Sequence, residues 1–476
     1  MSLFYDYIIV GSGASGGAMA YYLTRAGAKV LMLEAGKRYG ARTFSPNEMV
    51  SNANLMWSGG TDLTTDASTV LLRGKVVGGG TIINQCLLDR FDDVALDDWK
   101  AASDIPFFSA RGMKASYDEV ESQLDLYHLQ QSDWNRNAEI YVDGFQKLGL
   151  EWSPLRRGQN NCGKGNDCMV CLGGCPRDSK QSTLVTFIPK AEKQGLEILS
   201  EFNVAEVIHG KGFVTVTGKH RNSEVKNFYA KKCILSAGAL GTTQLLLKSQ
   251  LDQKLPALGK HFHCHPQFMN IGFYKDIVDS HKGSFQSVKS SDPRFREWGF
   301  KLENVFAGPI AASLLKPGYG IEHQQFMARY RHMACIEVAV RDQDPGEIRL
   351  SNSGRVVVSK NLSDADRQRA DKGNRLVKDL FHATGAYEVV SSPLQIGLHL
   401  MGGARMGRNE RTSVVNEAFK VHGMDNLYVA DSALFPNAPG INPMLTILAL
   451  SYRASQSILA EAGHKETSKK IREATA

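Results

Sequence analysis

Tyr5-Asp6-Tyr7-Ile8-Ile9-Val10-Gly11-Ser12-Gly13-Ala14-Ser15-Gly16 is a short apolar run that passes straight into a glycine turn. The run predicts a buried strand, and a helical stretch follows to about Ala26. Lys29 to Leu33 predicts a second strand, with Glu34 at its end. Strand, glycine turn, helix, strand and a terminal acidic residue make up the dinucleotide-binding fingerprint. Gly11 allows the tight turn, Gly13 lets backbone N–H groups approach a pyrophosphate, and Gly16 lets the helix pack close to the strand. Ala14 and Ser15 lie in the same turn. Glu34 is placed to accept hydrogen bonds from the ribose hydroxyls of an adenosine. The unit does not separate FAD from NAD, and its acidic residue disfavours NADP.

A second glycine-rich stretch, Gly74-Lys75-Val76-Val77-Gly78-Gly79-Gly80-Thr81, leads to Asn84. Flanking Val76-Val77 and Ile82-Ile83 imply that it is buried. It therefore suits close backbone approach to a ligand better than a surface turn, with Asn84 as a hydrogen-bonding side chain. Lys232 to Ala237, then Gly238 and a helical Thr242 to Ser249, form another strand–turn–helix. From about Pro266 to Val390, short strand-like runs such as Met333 to Val340 alternate with turns, as expected of a substrate-facing layer.

The chain has 476 residues, 42% hydrophobic and 22% charged, with a net charge of +7. That is an ordinary globular composition, and the charge surplus implies only mild attraction to acidic partners. The densest basic run, Lys465 to Arg472, is mixed in sign and carries no interleaved aromatics, which argues against nucleic acid. No run of about twenty apolar residues predicts a transmembrane helix. The first residues read as a buried strand and not as a signal peptide, so a cytoplasmic location is expected.

Eight cysteines are too few for a secreted disulfide scaffold. Cys86, Cys233, Cys264 and Cys335 are scattered and read as small buried residues. Cys162, Cys168, Cys171 and Cys175 are clustered as Cys-x5-Cys-x2-Cys-x3-Cys-Pro. Close thiolate spacing suits an iron–sulfur cluster, either [4Fe-4S] or [3Fe-4S], and nearby glycines allow a tight loop. Zinc is the second reading, because Cys168-x2-Cys171 is a single knuckle, and disulfides or free thiols are the third. His261, His263 and His265 alternate before Pro266, so a shared strand face and a metal site come into question. A structural loop is the preferred reading there.

Three blocks near the C-terminal end add to this: Gly397-Leu398-His399-Leu400-Met401-Gly402-Gly403, Asn426-Leu427-Tyr428-Val429-Ala430-Asp431-Ser432, and Gly440-Ile441-Asn442-Pro443-Met444. Together with GSGASG, VVGGGTIIN and ILSAGALGTTQLLL, they resemble the glucose–methanol–choline (GMC) oxidoreductases. The resemblance is weak between about Pro266 and Val390. It implies an α/β fold, with a discontinuous doubly wound FAD-binding domain and an α+β substrate domain on an antiparallel sheet. The expected division is 1–90, 176–265 and 391–476 for FAD, 91–161 and 266–390 for substrate, and 162–175 for the cysteine loop. The resemblance also implies oxidation of an alcohol to a carbonyl by hydride transfer to flavin. On the matching positions His399 and Asn442 are the catalytic pair, and Asp431 lies beside the ribityl-phosphate end of FAD. Val204, Ala237, Gly238 and Pro443 join the expected cofactor contacts. Ile83 occupies the position where some members carry a flavin-linked histidine, so FAD is expected to be held non-covalently.

The residue types suit that chemistry. A neutral imidazole can take the proton of an alcohol near neutral pH, and an amide can donate to the developing alkoxide. The cysteine segment, followed by Lys180-Gln181-Ser182, also resembles the insertion of a branch containing long-chain alcohol oxidases and dehydrogenases. A related branch, the bacterial sugar dehydrogenases, relays electrons from flavin to a cytochrome through a cluster. The expected activity is thus an alcohol dehydrogenase that passes electrons through an iron–sulfur cluster to a partner: a cytochrome, a ferredoxin or a quinone-linked subunit. An oxidase reducing O2, with a structural or zinc-holding cysteine loop, is the alternative among enzymes. A flavin-binding subunit without turnover is the alternative outside them. Apolar runs such as Phe306 to Leu315 and Val338 to Val340 suit either a lipophilic alcohol or core strands.

Overall fold

A strand of seven residues, Phe4–Val10, lies at the centre of a seven-stranded sheet. The computed structural model describes residues 4–160, 162, 171–221, 223–284 and 286–463. Ile8 and Ile9 are wholly buried, as expected of a strand covered on both faces. Val30–Leu33 and Val225–Leu235 flank it in parallel, with Glu197–Leu199 outside the first and Leu427–Val429 outside the second. Val214–His220 and Phe202–His209 continue the sheet as an antiparallel meander on Val225–Leu235.

The helix Ala14–Arg25 follows the first strand and is built from small residues. It packs against the helices Phe187–Glu192 and Met444–Glu461. The approach is close: a Cβ on Gly17 would come within 2.6 Å of Thr183 Cβ. The last long helix thus lies on the first one, which brings the Asn442 end of the chain to the first glycine turn.

The second sheet has eight strands, including His263–Phe273, Phe300–Asn304, Met333–Val340 and Glu388–Met401. Its long pairings are antiparallel; the pairing of Glu388–Met401 with Thr69–Leu71 is parallel. Asp62–Leu63 and Thr69–Leu71, from the stretch 1–90, are strands of this second sheet. Side chains alternate between its two faces. The register row Phe268, Val338 and Leu302 points to one side. There it joins a core shared with the helices Arg136–Lys147 and Asp364–Ala383. Val338 and Val340 are therefore core. The intervening rows, Gln267–Ala339–Lys301 and Met269–Glu337–Glu303, point to the other face.

Candidate active site

Ser12 ties the first glycine turn to the rest of the cofactor cradle. Its Oγ donates to Glu34 Oε2 across 2.6 Å and accepts from the N–H of Gly78 at 3.0 Å. Its carbonyl accepts from Thr183 Oγ1, and Thr81 Oγ1 accepts from the N–H of Thr183. The two glycine stretches, 68 residues apart at Gly11 and Gly79, are thereby brought into contact. A Cβ on Gly79 would lie 2.7 Å from Gly13 Cα. Gly11 has φ +99, and a Cβ there would collide with the Ser236 carbonyl oxygen at 2.3 Å, so only glycine makes this turn. Ser15 Oγ and Ser236 Oγ are 3.0 Å apart, linking the first turn to the turn at Ala237 and Gly238.

Glu34 is buried, and burial raises its pKa against the hydrogen bonds from Ser12 and Gly36. Val204 is also buried, two residues beyond Phe202, whose N–H bonds the Glu34 carbonyl. Asp431 accepts from the N–H groups of Gly238 and Ala433 at 2.8 Å each, and from Thr242 Oγ1. Burial lifts its pKa to about 6. It therefore anchors the helix Gly238–Lys248 at its first turn. A Cβ on Gly80 or Gly238 would meet no atom within 4 Å, and on Gly13 only Gly79 Cα at 3.9 Å. Room beside three glycines, next to the start of the helix Ala14–Arg25, fits a dinucleotide phosphate. Asn84 accepts from the N–H of Cys86 at 3.1 Å and reaches Met444 Sδ at 3.2 Å. Pro443 caps the start of the helix Met444–Glu461.

His399 lies near the end of Glu388–Met401 with φ +56, a left-handed conformation that is strained for a histidine. Its Nδ1 is 2.9 Å from His265 Nδ1. His265 Nε2 accepts the N–H of Gly440 at 3.0 Å. Two residues on, Asn442 Oδ1 accepts from Lys301 Nζ, which also donates to Glu303 Oε1 at 2.6 Å. Burial, then the Lys301 charge, pushes the pKa of His399 down to about 3. Burial, then His399 and Lys301, holds His265 well below its ordinary range. Both imidazoles are therefore neutral. Glu337 pairs with Glu303 and, through burial and that neighbour, is raised well above the carboxylate range.

The loop carrying Asn442 is fixed residue by residue. Trp99 Nε1 donates to the Asn437 carbonyl, Arg341 to that of Ala438 and Arg296 to that of Pro439. Gly440 then donates to His265. His399 and Asn442, 43 positions apart, thus each end a hydrogen-bonded chain, and the two chains are joined through the backbone 440–442. His265, Lys301 and Gly440 were not identified as site residues from the sequence. The alternation of His261, His263 and His265 signalled only a shared face. In the fold the three part company: His261 lies by Arg405, His263 by Asp342 and His265 by His399.

Lys180 is buried and donates to three carbonyls, of Ile82, Asn84 and Cys171. It clamps the cysteine loop to the second glycine stretch. Cys168 lies outside the described residues. Cys171 is buried, Cys162 and Cys175 are half-buried, and Cys171 and Cys175 form no disulfide. Among the described residues no three His, Cys, Asp or Glu side chains are gathered so as to hold a metal ion. The expected cluster therefore finds no ligand set in the described geometry: an iron–sulfur or other metal site at Cys162, Cys171 and Cys175 is not supported. Among the described residues, no helix is long and apolar enough to cross a membrane.

Residues 5–267 and 342–451 match the N-terminal and C-terminal GMC oxidoreductase profiles. The chain is 28% identical to long-chain-alcohol oxidase FAO4B of Arabidopsis thaliana, over 95% of this chain and 67% of that protein. It is 24% identical to a cholesterol oxidase of Acinetobacter baumannii, over 99% and 98%. Among solved structures it is similar to pyridoxine 4-oxidase from Mesorbium loti, at TM-score 0.72, 15% identity and 96% and 99% coverage. Aspergillus oryzae formate oxidase, studied for FAD modification, superposes at TM-score 0.73 with 16% identity, over 98% and 99%. With both profiles matched in order along one polypeptide, the chain belongs to the GMC oxidoreductase family, and it has that family's mixed α/β fold of an FAD-binding domain and a substrate domain.

Proposed function

We propose that this protein oxidises an alcohol to a carbonyl with non-covalently bound FAD. The observation that carries it is the pair of hydrogen-bonded chains, His399–His265–Gly440 and Lys301–Asn442, joined by the loop 440–442, beside a two-stretch glycine cradle. FAD supplies the ring that accepts a hydride from the carbinol carbon. Gly13, Gly80 and Gly238 leave room for its phosphates, Glu34 and Val204 lie at the adenosine end, and Asp431 sets the turn at Ala237 and Gly238. His399 and Asn442 hold the hydroxyl of the substrate. Ile83 offers no nucleophile for a flavin bond. Relatives named as alcohol and cholesterol oxidases agree with a CH–OH donor.

The relay through Cys162, Cys168, Cys171 and Cys175 rests on spacing, and no step is assigned to it. The test is anaerobic mixing of the yellow protein with a panel of alcohols, followed by absorbance. Bleaching in the wild type, slowed at least about 100-fold in His399→Ala, is the expected result. Equal bleaching in both proteins would remove His399 from the chemistry. Peroxide released with oxygen would mark an oxidase.

A further inference from the structure

Along His263–Phe273, the side chains of His265, Gln267 and Met269 share one face of the second sheet. Gln267 stands across from Ala339 and, one strand on, Lys301; Met269 stands across from Glu337 and Glu303. Farther along the same face, Ile271 with Cys335 and Phe273 with Met333 pack with Leu315 and Phe326 into an apolar core. His265 meets His399 and Lys301 meets Asn442, so the polar rows are the two that adjoin the proposed pair. Buried amides and carboxyls cost stability that isoleucine or methionine in the same rows would not. The fold alone does not call for them.

These polar groups bond to one another, with one atom left over. Gln267 Nε2 donates to Glu337 Oε1 at 3.2 Å, and Gln286 Nε2 donates to Glu303 Oε2 at 3.0 Å. Glu303 and Glu337 are buried and stand opposite each other in register. Side by side, two such carboxyls cannot both ionise, so they share one proton. Lys301 balances the charge that remains, and the group is neutral overall. Gln267 Oε1 accepts no hydrogen bond among the described residues, and Gln267 is 2% exposed. A buried acceptor without a donor is rare in a folded protein.

We propose that Gln267, backed by the Glu303–Glu337 pair, is a specificity site for a second hydroxyl of the substrate, so that the alcohol oxidised here is a polyol. This rests on the alcohol-oxidising reading of the pair. A hydroxyl donates and accepts at once, and its proton satisfies Gln267 Oε1. An alkyl chain in that place leaves the amide oxygen bare and lies against carboxyls. An ammonium would have to displace the shared proton. A site that bonds a substrate hydroxyl rejects the analogue lacking it far more sharply than an apolar pocket rejects an added hydroxyl.

The test is anaerobic bleaching of the FAD-loaded protein by alcohols matched in length: erythritol against 1-butanol and sorbitol against 1-hexanol, with 1-octanol and 4-amino-1-butanol beside them. At equal concentration each polyol should bleach the flavin at least about tenfold faster than its partner. A monoalcohol that matches the polyols would overturn the inference, and so would the amino alcohol if it were fastest. Gln267→Met keeps the length of the side chain and removes both polar atoms. It should raise the polyol concentration for half-maximal bleaching at least about tenfold, keep the saturating rate within about threefold, and level the preference. An unchanged preference, or an equal loss with every alcohol, would show that Gln267 reads nothing. If no alcohol bleaches the wild type, the alcohol-oxidising reading fails, and binding then decides the site. Erythritol or sorbitol should perturb the oxidised-flavin absorbance saturably in the wild type and not in Gln267→Met. No perturbation in the wild type would remove the polyol site as well.

Discussion

Lys180 Nζ donates to the carbonyl oxygen of Cys171 across 2.6 Å. The same ammonium reaches the carbonyls of Ile82 and Asn84. Cys171 and the second glycine stretch are therefore stitched together through backbone oxygens, with no cysteine sulfur in the bond. Burial lowers the Lys180 pKa, and the neighbouring Cys171, Cys86 and Cys175 thiols act the other way.

Replacing Lys180 with methionine keeps the length of the side chain and removes the donor. Three buried carbonyls lose their partner, and each such group costs about 1–3 kcal/mol before relaxation. Lys180→Met should lose about 3 kcal/mol of stability in urea titrations and retain less FAD through gel filtration. Full FAD occupancy would show that the clamp does not shape the cradle.

Cys171→Ser leaves the carbonyl bonded to Lys180 in place. Alcohol-driven bleaching should stay within about twofold of wild type, since the change swaps one buried sulfur for oxygen and leaves the backbone bond to Lys180 as it was. Iron analysis of the anaerobically purified wild type is the companion measurement. About four, or about three, irons per chain would assign the thiols to a cluster after all; no iron and no zinc would leave the loop structural.

Gly440 has φ +75, and a Cβ there would lie 2.7 Å from Arg296 Nη1 and 3.1 Å from Arg341 Cδ. Gly440→Ala should displace the loop that aims Asn442 and disturb the Gly440–His265 bond. A shift of about 1 Å at a reacting centre costs on the order of 100-fold in rate. The variant should show that loss in bleaching rate with a near-normal melting transition. A wild-type rate would mean that Arg296 and Arg341 yield without moving the loop.

Four histidines bind protons less readily in the folded chain: His261 at about 4, His399 at about 3, His265 well below 6.5 and His281 also below it. Between about 6.5 and 4 the unfolded chain binds more protons at these sites, so stability rises with pH. Their contribution is present above 6.5 and is lost as the pH falls through the range toward the folded values. Asp431, raised to about 6, opposes the trend between its unfolded value near 3.8 and 6. Urea midpoints should fall from pH 6.5 to 4.5, and His261→Gln should flatten the slope. An identical slope in the variant would place the effect elsewhere.

Much of the first sheet was legible because its signals are local. The strand, turn, helix and Glu34 lie within thirty-one residues, from Phe4 to Glu34. Met333–Val340 was also legible from its apolar run. The contacts around the proposed catalytic pair were not. Lys301 meets Asn442 across 141 positions and His265 meets His399 across 134. Nothing in the neighbourhood of Lys301 distinguishes it from any other strand lysine until register places it beside Gln267 and Ala339. The alternating histidines showed which residues share a face, yet tertiary partners decided what each does. The cysteine spacing pointed to ligands, and in the fold a lysine bonded to backbone oxygens is what ties that loop down.

His399 hangs from the eight-stranded layer, whereas Asn442 stands at the head of the helix that leans on Ala14–Arg25. Each layer therefore owns half of the proposed reactive pair. Any tilt of one slab against the other parts the two side chains before it breaks either slab. On the proposed reading, turnover doubles as a gauge of whether the two layers are seated together, and substitutions far from the pair can silence it by loosening that seam.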